Sequence, residues 1–272
     1  MPTANTTYKA NATANTYTVT FNANGGGTPS SSSITVTYNS TYGTLPTISR
    51  TGYSFNGWYT ASSGGTKITS SSTVSTASNH TLYAQWSVSS YTLTLNKGTG
   101  ISAVSGAGTY NYDASINIDA TVSTGYTWKN WTTGTSTTQF TATKNYSGKM
   151  PAANTTYKAN ATANTYTIAY NGNGATGGSM SSSSHTYDSA KNLTKNAFTR
   201  TGYTFLGWST STSATTATYT DQQSVKNLTS TNGGTITLFA VWKPIAQMYI
   251  AVKNSSGKLE FKPAEKFVYR TS

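Results

Sequence analysis

One nine-residue phrase occurs twice in this chain, as RTGYSFNGW over Arg50–Trp58 and as RTGYTFLGW over Arg200–Trp208. A worn third copy, STGYTWKNW, spans Ser123–Trp131. Self-similarity of this kind marks a repeat architecture in which each unit is one small supersecondary module. The segments around the phrase recur in the same order. The first unit, residues 16–88, runs from TYTVTFNANGGG through SITVTYNSTYGTLP to HTLYAQW. The third, residues 165–244, runs from TYTIAYNGNGATGG through SSHTYDSAKNL to ITLFAVW. The middle unit, residues 89–164, keeps the order (SYTLTLNKGTG, GTYNYDASINIDA, TTYKANA) but carries Asn160 where Trp86 closes the first unit. MPTANTTYKANATANTYTV at Met1 returns as MPAANTTYKANATANTYTI at Met150, so residues 1–15 read as the closing strand of a preceding divergent repeat.

The periodicity inside a unit is that of strands. In YTVTF, Tyr17, Val19 and Phe21 alternate with Thr18 and Thr20, and YTLTL and YTIAY repeat the period of two. These runs end in Asn-Gly clusters at residues 24–27 and 171–174, which suit the positive φ values of tight hairpin turns. Gly52 and Gly202, each before an aromatic, predict a bulge or a sharp turn into a strand. Simple alternation then places Tyr53, Phe55 and Gly57 on one face and Ser54, Asn56 and Trp58 on the other. No long helical period occurs, although one short helix per unit is expected near Tyr38–Leu45 and Asp188–Leu193. After Trp242 the composition changes: residues 245–272 contain MYIAV and KLEF around NSSG, which predicts a hairpin, and KFVY, which predicts a third strand.

Composition narrows the function classes. Only 35% of the residues are hydrophobic, yet there are 20 Tyr, 8 Phe and 6 Trp, which fits small β domains with lean cores better than disorder. All six tryptophans lie inside the repeated segments. The absence of cysteine removes disulfides, thiolate chemistry and cysteine-ligated metal. The formal charge of +12 arises from having only 6 acids, and its 18 Lys and Arg are scattered without runs. This argues against specific nucleic-acid recognition, which clusters cations on one face, and allows weak adhesion to anionic polymers. No apolar run is long enough for a membrane helix. His80 and His185 sit in different contexts without a nucleophile–acid constellation, and nucleophile-elbow, zincin, calcium-loop and phosphate-loop signatures are all lacking. Neither an enzyme nor a cofactor is expected.

The pattern YTVTFNANGG … RTGYSFNGWYT … LYAQW resembles the InlB B-repeat family, also called the Listeria–Bacteroides repeat. The middle unit is similar to that family's divergent variant. The resemblance implies a mainly β fold of β-grasp-like modules, here a tandem array of three with a terminal strand at each end. It also implies non-catalytic work on surface proteins of bacteria or on virions: spacing, adhesion or surface contact. The residues after 244 are weakly similar to the ends of tail-associated proteins of Gram-positive prophages. PTANTTYKA after Met1 lacks the basic start and apolar run of a signal peptide, and no LPxTG-like sorting signal follows. A phage or phage-like appendage is therefore expected, with a fragment of a bacterial surface adhesin as the alternative. The expected partners are other copies or structural proteins of such an assembly, together with surface glycan or anionic polymer.

The residues expected to form each module's core are Gly52, Tyr53, Phe55, Trp58 and Trp86; Gly125, Tyr126, Trp128 and Trp131; and Gly202, Tyr203, Phe205, Trp208 and Trp242. Aromatic rings each bury about 150–250 Å², enough to supply much of a core this size. Tyr59 and Trp128 are the candidates to face a ligand. Arg50 and Arg200, replaced by Ser123 in the middle copy, are expected to stack on a tyrosine or bond a carbonyl.

Overall fold

The structure is a computed structural model that describes residues 7–246 and 249–263. Strands and irregular loops make up the described chain, and no helix occurs among these residues. In the first module β1 (Thr16–Asn22), β2 (Ser33–Thr37), β3 (Tyr53–Tyr59), β4 (Lys67–Ile68) and β5 (His80–Val88) form one sheet in the order β2-β1-β5-β3-β4. The first and last strands lie parallel at its centre, with Phe21 opposite Leu82, and antiparallel strands flank them.

The middle module contains β6 (Ser90–Lys97), β7 (Ile101–Ser105), β8 (Gly108–Asn111), β9 (Ser115–Val122), β10 (Tyr126–Thr133), β11 (Gln139–Thr141), β12 (Tyr146–Lys149) and β13 (Thr155–Ala163). Its main sheet has the order β11-β10-β13-β6-β8 and again a parallel pair, β6 with β13; β12-β9-β7 form a second sheet. The third module has β14 (Thr165–Asn171), β15 (Ser183–Thr186), β16 (Lys191–Asn192), β17 (Tyr203–Ser209), β18 (Ser224–Val225) and β19 (Thr235–Pro244). Its sheet β15-β14-β19-β17 keeps the parallel centre, β14 with β19, while β16 and β18 pair separately. The expected hairpin follows as β20 (Tyr249–Lys253) and β21 (Leu259–Pro263). The third strand expected at KFVY lies outside the described residues.

The described chain separates into two compact units whose boundary runs through the middle module: residues up to 121 with 130–160, and residues 122–129 with those from 161 onward. In the first unit, Val19, Phe21, Trp58, Val74, Leu82 and Ala84 belong to one buried cluster. In the second, Tyr166, Ile168, Trp208, Leu238 and Ala240 form its counterpart. The period of two predicted for YTVTF is present, since Val19 and Phe21 are buried while Thr18 and Thr20 are exposed.

Three expectations are corrected. The crossover near Tyr38–Leu45 is not helical. Asn39 and Gly43 adopt φ of 64° and 70°, and Asn39, Tyr42 and Gly43 donate their backbone N–H groups to Val74, Ser72 and Ser70. A strap of residues 70–74 thus satisfies the backbone groups that a helix would satisfy internally. The segment Asp188–Leu193 is likewise non-helical: Asp188 has φ 59°, and β16 follows. Second, residues 7–15 carry no strand, although their sequence matches β13 almost residue for residue. Tyr157 of β13 is only 6% exposed and stacks on Phe140 at 4.1 Å, whereas Tyr8 is 87% exposed. The same residues form a strand only where β10 and β6 supply neighbours on both sides.

The third correction concerns the phrase itself. Gly52 makes the sharp turn, but the bulge lies further on. Phe55 faces Trp86, Gly57 faces Gln85 and Trp58 faces Ala84, so Asn56 is the extra residue. The shift recurs between Phe205 and Gly207. It cancels the alternation and brings Trp58 to the face of Phe55, with ring centroids 5.6 Å apart. Gly57 and Gly207 reach φ of 134° and 139° there, a region that favours glycine. A Cβ at Gly57 would come within 2.6 Å of the flexible Lys67 Cε, but at Gly207 within 2.3 Å of the Tyr219 carbonyl oxygen. Gly207→Ala should therefore destabilise its module by about 1–3 kcal/mol more than Gly57→Ala does, because a lysine tip moves aside and a backbone carbonyl does not. Chemical denaturation of the two variants checks this, and equal losses would refute it.

Candidate functional site: the repeated phrase

The phrase divides into two halves with different surroundings. In the second half, Trp58, Trp131 and Trp208 are 2%, 0% and 0% exposed, so these three rings are consumed by the interior. Trp58 packs on Phe21 at 4.6 Å and Trp208 on Tyr170 at 4.9 Å. Trp58 Nε1 donates to the Pro46 carbonyl and Trp131 Nε1 to the Lys144 carbonyl, which pins each strand to a loop. Trp208 Nε1 is buried with no partner among the described residues. Trp86 and Trp242 are half-buried and close the turns that follow β1 and β14, donating to the Ala23 and Gly172 carbonyls. Phe205 is half-buried, while Phe55 lies at the rim, 38% exposed.

In the middle copy the expected place of Asn160 is corrected: Tyr157 pairs with Leu95 as Leu82 pairs with Phe21, so Asn160 stands at the position of Gln85 and Ala161 at that of Trp86. Asn160 Nδ2 reaches Asn130 Oδ1 at 3.2 Å and Thr132 Oγ1 at 3.1 Å, and Asn130 Nδ2 donates to Gln139 Oε1 at 3.1 Å. Asn130 and Thr132 are buried, and the network satisfies their polar groups. The repeat pattern shows that a tryptophan is missing but misplaces its substitute by one residue, and it gives no sign of this network, whose members are distant in the chain. Tyr59 and Trp128, the candidate ligand-facing residues, are both half-buried.

The first half of the phrase forms a turn. Tyr53 N–H donates to the Arg50 carbonyl, Tyr126 to that of Ser123 and Tyr203 to that of Arg200, with Gly52, Gly125 and Gly202 at φ of 77°, 79° and 76°. The Arg50 guanidinium lies over the Tyr53 ring at 3.7 Å and that of Arg200 over Tyr203 at 3.9 Å, the stacking expected of these arginines. Each also lies 3.3 Å from where a Cβ on Gly25 or Gly174 would stand, so the arginine braces the Asn-Gly turn. In those turns Asn24 and Asn173 both have φ of 46°, within longer loops rather than two-residue hairpins.

Beside the first arginine is a shallow cleft of about 300 Å³ lined by Asn24, Arg50, Ser62, Ser63, Gln85 and Trp86. Much of its polar lining is already engaged. Asn24 Nδ2 donates to the Ser62 and Ala84 carbonyls, and Gln85 Nε2 to those of Ala61 and Gly64. No carboxylate–histidine or nucleophile–base pair converges here, and among the described residues no three His, Asp or Glu gather as metal ligands. The two histidines serve packing and turn roles. His80 Nε2 lies 2.8 Å from Tyr42 Oη, and His185 is buried and stacked on Tyr166.

With this geometry in view, the family comparison can be read residue by residue. The Listeria-Bacteroides repeat domain matches residues 17–85 and 166–241, and the Divergent InlB B-repeat domain matches residues 91–165. The chain belongs to the Listeria–Bacteroides repeat family. Repeat domains of this kind are typically extracellular or surface-associated and typically non-catalytic. In this B-repeat array both typical copies have the Arg–Tyr stack and the glycine bulge, and the divergent copy has Ser123 and Asn130 at those places. No helix of the described chain is long and apolar enough to cross a membrane.

Two outcomes follow from the unequal cores. Trp58→Phe removes packing and leaves the Pro46 carbonyl without its donor, whereas Trp208→Phe removes packing together with a buried N–H that has no partner. Trp58→Phe should cost roughly 1–2 kcal/mol more in denaturant unfolding, the order of one buried hydrogen bond. His185 gives the third module a pH response. Burial pushes its pKa down, and the charge of Lys191 adds to this. The unfolded chain takes up a proton near pH 6.5 while the folded site resists it, so stability falls as pH drops below about 6.5. His185→Val, the residue at the matching position Val36 opposite Tyr17, should flatten that slope in thermal melts between pH 7 and 5.

Proposed function

We propose that this B-repeat array is a non-catalytic display component of a virion, a tail or decoration part of a phage or phage-like particle that meets host or environmental surfaces. The observation that supports it best is where the large residues go. The conspicuous phrase is spent on cores and turns, leaving loops to face outward, as a spacing module requires. The C-terminal hairpin supports docking to a larger assembly, because Tyr249, Leu259 and Phe261 are 55%, 57% and 72% exposed. Such exposed apolar groups are costly on a free surface and suit a contact face.

A second reading is a stalk from a bacterial surface adhesin, and the cleft beside Arg50 and Trp86 favours it. A guanidinium, an indole and the Ser62 and Ser63 hydroxyls offer weak, salt-dependent contact to a glycan or anionic polymer, helped by the net charge of +12.

Immunogold electron microscopy of a culture encoding the chain, before and after prophage induction, separates the two. Label on particles after induction supports the virion reading. Label on cell walls regardless of induction overturns it in favour of the adhesin stalk.

A further inference from the structure

The Gly–Tyr half of the phrase has a neighbour in two of its three copies, and the neighbour is the same both times. A Cβ on Gly52 would stand 2.1 Å from the ring of Tyr112, and one on Gly125 would stand 2.2 Å from the ring of Tyr187. Tyr112 and Tyr187 occupy matching places in the next module, in the segments TYNYD and SHTYD. Each ring meets the phrase tyrosine edge to face, Tyr112 on Tyr53 and Tyr187 on Tyr126, both at 6.0 Å. One linker residue bridges each contact through its backbone. Ser89 N–H donates to the Gly52 carbonyl and the Ser89 carbonyl accepts from Tyr112 N–H, at 2.9 and 2.8 Å. Asn164 does the same between Gly125 and Tyr187, at 2.8 and 2.8 Å.

The linker side chains repeat the pattern. Ser89 Oγ lies 3.0 Å from Ser54 Oγ, and Asn164 Oδ1 accepts from Thr127 Oγ1 at 2.6 Å, the hydroxyl in each case following the Gly–Tyr pair. The second contact adds a bond from Tyr126 Oη to the Asp188 carboxylate.

The third copy is the internal control. Gly202 has the same turn and the same φ, and Ile245 N–H donates to its carbonyl, yet no atom of the described residues lies within 4 Å of its would-be Cβ. Gly202 is exposed where Gly52 and Gly125 are buried.

From this we infer that the Gly–Tyr pair is a seat for the turn tyrosine of the following module, forming a joint that fixes the orientation of consecutive modules. The missing side chain serves twice, by allowing the positive φ and by clearing the floor on which the tyrosine lies. The partner that fits the seat is thus the Tyr-containing turn of another such module.

The cysteine-free chain allows a direct test. Cysteines introduced at the exposed strand positions Thr20 and Thr94 carry spin labels on either side of the first joint, and pulsed electron resonance reads the distance distribution in the full chain. The parent should give a narrow distribution. Tyr112→Ala should broaden it at least twofold, while Tyr38→Ala, which truncates the matching tyrosine of the first module, should leave it narrow. Gly52→Ala should broaden it as well. Gly202→Ala imposes the same backbone strain without a seated ring, so it should lower the thermal stability less than Gly52→Ala does. Far-UV and tryptophan spectra that match the parent confirm intact modules. A width unchanged by Tyr112→Ala, or equal losses of thermal stability in Gly52→Ala and Gly202→Ala, overturns the inference.

Discussion

The interior depends on a bulge more than on any single ring. β3 and β17 each present two aromatics, three residues apart, to one face of a strand whose ordinary period would separate them. The extra residue at Asn56 or Leu206 repairs the parity, and Gly57 or Gly207 accepts the resulting φ. With Trp58 turned inward, Phe21, Leu82 and Ala84 of the parallel central strands have something large to pack against. Burying a ring of about 150–250 Å² at 25 cal/mol/Å² is worth up to about 4–6 kcal/mol, a large share of the stability of a domain this small. A module without the bulge would aim that ring at water.

Much of the architecture can be read from the residues, and the places where reading stops have physical causes. The strand alternation of Tyr17–Phe21, the repeat order and the stacking of Arg50 follow from local pattern and side-chain chemistry. The position of Trp58 does not, since a bulge changes which face each later residue takes and leaves only a glycine as its trace. The absent helices have a similar explanation. Asn39 and Asp188 adopt positive φ, and backbone groups of the first crossover find partners about thirty residues away. The loose segment 7–15 makes the same point in reverse: a sequence identical to a central strand over most of its length remains without secondary structure when no neighbouring strands receive it.

The divergent copy shows what the family pattern protects. Three features change together in it: Arg50 becomes Ser123, Gly57 becomes Asn130 and Trp86 becomes Ala161. Beside that change Asn160, at the position of Gln85, joins Asn130, Thr132 and Gln139 in mutual hydrogen bonds. The Gly–Tyr pair does not change, and neither does the tryptophan that ends the phrase. Core and turn are therefore separable from the rim, which is free to vary.

That separation bears on why the Gly–Tyr pair persists in all three copies. A turn needs the glycine, but it does not need the tyrosine after it, nor a linker hydroxyl or amide bonded to the next side chain. All of these occur together at Gly52 and Gly125, where a module follows. At Gly202 the linker is Ile245, whose apolar side chain cannot make the bond that Ser89 and Asn164 make. The copies thus differ at the linker in the way expected if its polar side chain belongs to the joint and not to the fold of the module. An array used for spacing gains from such joints, because reach depends on the angles between modules as well as on their number. In a lean β module with few large residues, placing core, turn and joint in one nine-residue phrase also explains why that phrase returns in all three modules.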